Sequence, residues 1–259
     1  MTARADGRKA DQLRHVTFKR KFTRQAPGSV LASMGTTTVL CTCTIEESVP
    51  PFLKGSGKGW LTAEYSMLPG CGGSRKPRDR AGKVDGRAVE IQRLIGRAMR
   101  AIVNLDVLGE RCLWLDCDVI ESDGGTRTTA INGAFVALVD GLNWLAKQPL
   151  RPAQPGKPEP KPLPPIHEIL KDSIGAVSVG LLEGIGLLDL NYPEDRDAQV
   201  DLNLVLTGAG HFVEVQAGGE EATFSQAQLD RLLVLGRSGI AEIRALQKKA
   251  LGKSWPFAK

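Results

Sequence analysis

The chain has 259 residues, which is long enough to bury a substantial core as one large domain or two small ones. Its content of 42% hydrophobic and 24% charged residues is ordinary for a globular protein, and the net charge of +5 is compatible with a nucleic-acid partner. The polar N-terminal residues and the lack of a long uncharged run exclude a signal peptide and a membrane span, so we expect a cytoplasmic protein with no membrane partner.

The first third of the chain is predicted to consist of β-strands. Segment 15–22 alternates apolar and basic residues, and 36–45 is dense in threonine and valine, which is typical of strands. Cys41 and Cys43 alternate within the second of these segments and would share one face. The five cysteines form no Cys-x-x-Cys pair and predict reduced, packed thiols. Strands are predicted at 15–22, 29–34, 36–45 and 60–67.

Long helices enter the predicted pattern further along the chain. Apolar residues at helical spacing predict helices at 87–108 and 128–147, and a capping box from Ser225 to Gln228 opens a third helix. Further strands are predicted at 112–120, 176–182, 186–191, 200–206 and 212–216. Antiparallel strand pairs mixed with a few long helices favour the α+β fold class. The proline-dominated segment 148–165 predicts a surface loop with polyproline character.

A glycine pair lies between the predicted strand 112–120 and the predicted helix that follows it. A strand that turns through glycines into a helix exposes unpaired N–H groups and the positive end of the helix dipole. Thr126 adds a hydroxyl donor, and the planar guanidinium of Arg127 can hold phosphate oxygens in bidentate fashion. The segment therefore predicts a phosphate site. The alternative is a tight turn that carries a solvated arginine.

Basic residues are concentrated in two places. Arg93, Arg97 and Arg100 recur on one face of the predicted helix 87–108. The segment before this helix holds three more arginines, which are Arg75, Arg78 and Arg80. A solvated helix face, with Glu90 as an ion-pair partner, would explain the first row. Beside a phosphate site, however, the two clusters favour a groove for a polyanionic substrate.

Carboxylates cluster around the start of the predicted strand 200–206, at Glu194, Asp195, Asp197 and Asp201. Such a cluster repels itself unless a cation or an arginine compensates it. Magnesium is held by one or two carboxylates plus substrate phosphate oxygens, so a cluster near a phosphate site suits this ion. A solvated acidic turn is the alternative. Spacing alone does not choose among the three aspartates.

Six further blocks stand in order along the chain. They are Asp6-Gly-Arg8, Asp11-Gln-Leu-Arg14, Gly59-Trp-Leu-Thr-Ala-Glu-Tyr-Ser-Met-Leu-Pro69, Gly86-Arg87-Ala-Val-Glu-Ile-Gln-Arg-Leu-Ile-Gly-Arg97, Asp116-Cys-Asp-Val119 and Leu188-Asp-Leu-Asn-Tyr192. Together with the glycine turn and the carboxylate cluster, they resemble the ribonuclease PH family over residues 4 to 247. The resemblance implies a single domain over 1–259 with the ribosomal protein S5 domain 2-like fold. It also implies a phosphate-dependent 3′ exoribonuclease and reversible nucleotidyltransferase that trims transfer RNA precursors.

The resemblance assigns roles to individual residues. The phosphate-binding residues that it implies are Arg87, Gly125, Thr126 and Arg127. Asp195 and Asp201 match the family's two aspartates, which implies that they are catalytic and hold Mg²⁺, whereas Asp197 occupies a variable position. Whether Asp201 is a metal ligand, a general acid or both stays open. RNA binding is expected of Arg75, Arg78, Arg80, Arg93 and Arg97.

The implied co-substrate is inorganic phosphate, and the implied partners are transfer RNA precursors and other structured RNA 3′ ends, including ribosomal RNA. The implied assembly is a homohexamer built as a trimer of dimers. The chain departs from the family pattern at 70–74, where Gly70-Cys-Gly-Gly-Ser74 replaces the usual Arg-Ala-Thr-His, and again at 217–221. The first departure affects a loop that the family uses for RNA and subunit contacts.

Two other functions compete with this hypothesis. One is a catalytically silent RNA-binding subunit of an exosome-like ring. Such a subunit need not keep the arginines, the threonine and both aspartates together, which argues against it. The other is a small-molecule phosphotransferase, but neither of the two common nucleotide-binding glycine motifs is present.

Overall fold

A computed structural model describes residues 4–78, 85–149, 162–220 and 222–257. The predicted RNA-binding residue Arg80 and most of the predicted proline-rich loop, residues 150–161, lie outside these ranges. In the part of the chain that the structure describes, no helix is long and apolar enough to cross a bilayer.

The first sheet is formed by the N-terminal half of the chain. Its strands are β1 Val16–Arg20, β2 Gly28–Met34, β3 Thr37–Glu46, β4 Trp60–Met67 and β5 Cys112–Glu121. They lie in the order β1-β2-β3-β5-β4, and only the β4–β5 pair is parallel. Parallel pairing requires a crossover, which the chain makes through a helix between these two strands.

The second sheet is formed by the C-terminal half and is antiparallel throughout. Its strands are β6 Ile174–Leu182, β7 Ile185–Leu188, β8 Val200–Thr207 and β9 Phe212–Gly219. They lie in the order β7-β6-β8-β9. β6 is buried almost throughout, because its two faces pack on helices from both halves of the chain.

The helices are α1 Gly86–Ile102, α2 Leu105–Leu108, α3 Thr126–Leu145, α4 Ile166–Ile169, α5 Tyr192–Asp197 and α6 Gln226–Leu251. The central helix, α3, lies between the two sheets and is buried on nearly every side. Glycines let it approach β3 closely, since a Cβ at Gly133 would lie 2.6 Å from the Cys41 sulfur and one at Gly141 would lie 2.7 Å from that of Cys43. The amide of buried Asn132 bonds the backbone of Ala176 in β6 at 2.8 Å in both directions.

The α+β class with the S5 domain 2-like fold is confirmed, as are all the predicted strands, whose bounds shift by a few residues. All five cysteines are buried thiols, as expected. The predicted helix 87–108 is divided in the structure into α1 and the short helix α2, with a break between them. The chain leaves α1 after Ile102, because Val103 turns extended and forms a β-bridge with Leu170. Whether the chain is one domain stays a prediction.

Candidate phosphate and metal site

The turn between β5 and α3 has the backbone geometry of an anion site. Gly124 and Gly125 both adopt positive φ angles, 73° and 64°, which glycine tolerates best. The first backbone bond of the helix runs from the Thr129 N–H to the Gly125 carbonyl, at 3.0 Å. Gly125 is the N-cap residue of α3, and in the described ranges no side chain forms an N-cap hydrogen bond there. The N–H groups of the first turn therefore remain available to an anion, at the positive end of a 20-residue helix.

Thr126, the first residue of α3, is held by a tyrosine from the neighbouring strand. The Tyr65 hydroxyl donates to Thr126 Oγ1 at 2.8 Å, and both side chains are buried. Burial raises the pKa of Tyr65 to about 12, so the phenol keeps its proton and acts as the donor. The Thr126 hydroxyl then has its own proton free to donate elsewhere.

Two arginines bring positive charge to this turn. The Arg127 side chain is only 14% exposed, and its Nη1 donates to Glu90 Oε1 at 3.2 Å and to Gln216 Oε1 at 2.6 Å. Arg87 lies in the first turn of α1, whose N-cap Asp85 accepts from the Arg87 N–H at 3.1 Å. Both guanidinium charges lower the pKa values of Tyr65 and of Asp195, so both act on the same two groups of the site.

The carboxylate cluster divides into residues with different partners. Glu194 is buried and forms an ion pair with Arg4 at 2.6 Å, and Asp197 is exposed and forms one with its neighbour Arg196 at 2.6 Å. Asp195 in α5 and Asp201 in β8 are both half-buried. Burial separates these two aspartates from Asp197 in a way that sequence spacing does not.

Burial and neighbouring charges shift the pKa values of the two half-buried aspartates. Burial raises the pKa of Asp195, while the charges of Arg87 and Arg127 act in the opposite direction. Burial raises the pKa of Asp201 to about 6, and the neighbouring charge of Asp195 adds to this effect. Glu220 raises the pKa of both aspartates. The charge of Arg127 thus acts on both aspartates, and the pair carries negative charge that a cation would offset.

The aspartate pair suits magnesium better than a metal that needs an all-protein cage. The described ranges hold no group of three or more His, Cys, Asp or Glu residues arranged as metal ligands. Magnesium needs only one or two carboxylates, because substrate phosphates and waters complete its octahedral shell. Asp195 and Asp201 supply two half-buried carboxylates, so the donor set fits this ion.

Comparison with known proteins decides the family. Residues 12–141 match domain 1 of the 3′ exoribonuclease (RNase PH) family, and residues 172–239 match domain 2. The chain belongs to this family. It is 52% identical over 251 residues to a protein named ribonuclease PH from Bacillus cytotoxicus, covering 96% of this chain and 97% of the relative. It is 51% identical, with the same coverage, to a protein of that name from Bacillus cereus strain AH187.

Solved structures of more distant proteins share the ribonuclease PH fold. A crystal structure of rice (Oryza sativa) Rrp46 superposes with a TM-score of 0.73 at 20% identity, covering 96% of this chain and all of the other. A structure of the Archaeoglobus fulgidus exosome with RNA bound to the active site gives a TM-score of 0.72 at 18% identity, covering 94% and 92%. At these identities the likeness concerns the fold alone.

The predicted RNA-binding arginines lie on exposed surface where they are described. Arg75 and Arg78 are exposed in the segment that joins β4 to α1, and Arg93 is exposed on α1. Arg97 is also exposed, and its Nη2 forms an ion pair with Glu214 of β9 at 2.8 Å. The glycine-rich loop 70–74 lies just before Arg75. It is anchored by the buried Cys71, whose carbonyl accepts from the Ser122 N–H at 2.7 Å.

Sequence reasoning missed several residues that contact the site. Tyr65 lies within one of the family blocks, so its position was visible but its bond to Thr126 was not. Gln216 and Glu90 both accept from Arg127, whereas the sequence predicts for Glu90 only an ion pair along its own helix. Glu220 acts on both aspartates from the end of β9. No local pattern marks these contacts, because each one joins segments far apart in the chain.

Proposed function

We propose that this chain is a phosphate-dependent 3′-to-5′ exoribonuclease that trims the 3′ ends of transfer RNA precursors and releases nucleoside diphosphates. One observation carries the proposal. The loop that leads to Asp195 bonds the turn that leads to Thr126 and Arg127, since the Tyr192 N–H donates to Asp123 Oδ1 at 3.1 Å, and the charge of Arg127 acts on the pKa of both Asp195 and Asp201. The names of the relatives at 51–52% identity over nearly the whole chain support the same activity.

The chemistry follows from the charges that have to meet. An oxygen of inorganic phosphate attacks the phosphorus of the last phosphodiester, the bond from phosphorus to the 3′ oxygen breaks, and that oxygen takes up a proton. Both reacting groups are anions, so Arg87, Arg127 and the amides of the turn are needed to hold and neutralise the attacking phosphate. The products are a nucleoside diphosphate and an RNA one nucleotide shorter. One phosphate linkage replaces another, so the step is readily reversible.

Asp195 and Asp201 would hold the magnesium ion at this site. When bound, the ion would offset the charge of the scissile phosphate and stabilise the departing 3′ oxygen. In the metal-free site, burial and the charge of Asp195 raise the pKa of Asp201 to about 6, which favours a carboxyl that can supply a proton. Ligand and proton donor are thus the two roles that we propose for Asp201, and metal-binding measurements on its variants distinguish them.

The first prediction concerns the co-substrate. We expect degradation of a 3′-extended transfer RNA to require inorganic phosphate and to yield nucleoside diphosphates, because the site holds two arginines for an anion and none of its residues is a histidine that could activate water. Chromatography of the products in buffers with and without phosphate measures this. Equal trimming without phosphate, with release of monophosphates, would show a hydrolase instead.

The alternative function, a catalytically silent RNA-binding ring subunit, predicts no turnover in that assay. The joint presence of Arg87, Thr126, Arg127, Asp195 and Asp201 favours the active enzyme. For the assembly we propose a homohexamer built from three dimers, and for the location the cytoplasm. Sedimentation of the purified chain tests the first, and fractionation of the source cells tests the second.

The second prediction concerns the RNA path, which we propose runs over Arg75, Arg78 and Arg80. Replacing all three by alanine should lower RNA affinity and flatten its dependence on salt, because each phosphate contact releases counterions that added salt opposes. Use of phosphate on a very short RNA should change little. A matched triple variant of exposed cations on α6, Arg231, Lys248 and Lys249, removes the same charge elsewhere. If both triple variants lose affinity equally, the effect is net charge and the path lies elsewhere.

A further inference from the structure

The N-terminal segment of the chain carries three arginines that pair with Asp189, with Glu194 or with both. Arg4, Arg8 and Arg14 all lie within 4 Å of Asp189 or Glu194, neither of which the proposed chemistry uses directly. These five residues form what we call the arginine clamp. The side chains of Arg4 and Arg14 are 3% and 5% exposed, and that of Asp189 is not exposed at all. Such buried charges are costly unless every one is paired, and here each has several partners.

The Arg14 guanidinium bonds two loops, one at Asp189 and the other at Asp123. Its Nε and Nη2 donate to the two oxygens of Asp189 at 3.0 and 2.7 Å, and its backbone N–H donates to the same carboxylate at 2.8 Å. The other side of the guanidinium donates to the carbonyl of Asp123, and Nη2 also reaches the Gly124 carbonyl at 3.5 Å. Asp123 and Gly124 precede the phosphate-binding residues, whereas Asp189 precedes the helix that carries Asp195.

Arg4 fixes that helix from the other side. Its Nε and Nη2 donate to the two oxygens of Glu194 at 2.7 and 2.6 Å, and its Nη1 donates to the Leu188 carbonyl at 2.8 Å. Glu194 also closes a capping box with Asn191, in which each residue's side chain accepts from the other's backbone N–H. The first turn of α5 is therefore held in place immediately before Asp195.

The two loops also contact each other directly. The Tyr192 N–H donates to Asp123 Oδ1 at 3.1 Å, and a Cβ at Gly124 would lie 2.8 Å from the Leu190 carbonyl oxygen. The turn that leads to Thr126 and Arg127, the phosphate turn, follows β5 of the first sheet, and the loop that leads through α5 to Asp195 follows β7 of the second sheet. Loops from two different sheets meet here, and the Arg14 guanidinium bonds both of them.

We propose that Arg14, through Asp189, is a positioning residue that sets the distance between the phosphate turn and the aspartate pair. This inference rests on the proposed function, because it concerns the relative placement of attacking and scissile phosphates. Reaction requires those groups to come within about 3–3.5 Å in the correct orientation, and a misplacement of about 1 Å can lower the rate about 100-fold. Each loop keeps its own ligand-binding groups without Arg14, so the effect falls on turnover more than on binding.

The test compares Arg14→Met with Arg20→Met in the full-length chain. Arg20 makes the same kinds of contact far from the site, donating to both oxygens of Asp140 and to the carbonyls of Ala250 and Leu251 at 2.9 and 3.0 Å. Both variants should lose thermal stability. Below both melting temperatures, we expect kcat on a short RNA to fall about 100-fold in Arg14→Met only. Dissociation constants for inorganic phosphate and Mg²⁺, measured by calorimetry, should change by less than about threefold.

A second variant covers the case in which Arg14→Met does not fold. Arg14→Lys keeps the charge beside Asp189 and should therefore lose less stability than Arg14→Met. One ammonium cannot reach both loops, so kcat should still fall. Parent kcat in both Arg14 variants, or equal losses in Arg14→Met and Arg20→Met, would overturn the proposal. The parent chain in the same assay tests the proposed function separately. If the parent releases no nucleoside diphosphate in the presence of phosphate, the proposed function is wrong, whatever the Arg14 variants do.

Discussion

Replacing Asp201 by asparagine should reduce turnover by about three orders of magnitude and, at the same time, stabilise the metal-free protein at neutral pH. The first effect is expected because the carboxylate either holds the ion or donates the proton, and metal stabilisation of the transition state contributes several kcal/mol. Asp195→Asn should reduce turnover similarly. Neither change should weaken RNA binding, measured without metal, because neither carboxylate is expected to contact RNA directly.

The gain in stability follows from the raised pKa of Asp201. Burial and the charge of Asp195 raise this pKa from 3.8 to about 6, so the folded protein binds the proton more tightly than the unfolded chain does. The unfolding free energy therefore falls as the pH rises from about 3.8 to about 6 and stays lower above that window. The penalty at neutral pH is on the order of 1–3 kcal/mol. Asparagine carries no charge and avoids this penalty.

Asp197→Asn is the matched control for this experiment. Asp197 belongs to the same acidic segment but is exposed and paired with Arg196, so its loss should leave turnover and stability close to the parent values. Calorimetric titration with Mg²⁺ separates the two roles of Asp201, since a lost ligand weakens binding and a lost proton donor does not. Full turnover in both Asp195→Asn and Asp201→Asn at saturating Mg²⁺ would remove the proposed metal site.

The divided fate of the acidic segment shows where sequence reasoning reaches its limit. Spacing along the chain left three aspartates equivalent, and only the resemblance to ribonuclease PH selected Asp195 and Asp201. The structure gives the physical reason for this selection. Asp197 is exposed to solvent, and Glu194 forms an ion pair with Arg4. Burial and partners at this site depend on a segment at the other end of the chain, which no local pattern reports.

Local periodicity predicted the strands and the long helices well, because alternation and helical spacing are properties of single segments. It failed where a distant segment intervenes, as at Val103, which pairs with Leu170 instead of continuing the helix. The same reason explains why the arginine clamp was missed. Arg14 and Asp189 each lay in a recognised block, yet 175 positions separate them in the chain.

Arg127→Ala carries the other large expected effect, and it should fall on phosphate. The Arg127 side chain is largely buried. Arg127 is the second residue of α3, so its guanidinium belongs to the turn whose N–H groups can bind an anion. A preorganised charge-assisted contact in a catalytic site is worth roughly 2–4 kcal/mol, so the phosphate concentration for half-maximal rate should rise about 30- to 900-fold. Steady-state phosphorolysis of a short RNA, at varied phosphate, measures this.

Arg97→Ala is the control variant, because it removes an arginine that is proposed to bind RNA and not phosphate. Arg97 is also an arginine that contacts β9, through Glu214, but it is 52% exposed and is proposed to contact RNA. We therefore expect a crossed pattern, in which Arg127→Ala raises the phosphate requirement with unchanged RNA affinity and Arg97→Ala lowers RNA affinity with an unchanged phosphate requirement. Glu90 and Gln216 would lose their common partner in Arg127→Ala, which costs stability, so both variants are assayed well below their melting temperatures. An unchanged phosphate requirement in Arg127→Ala would mean that the attacking anion is held elsewhere than at the α3 turn.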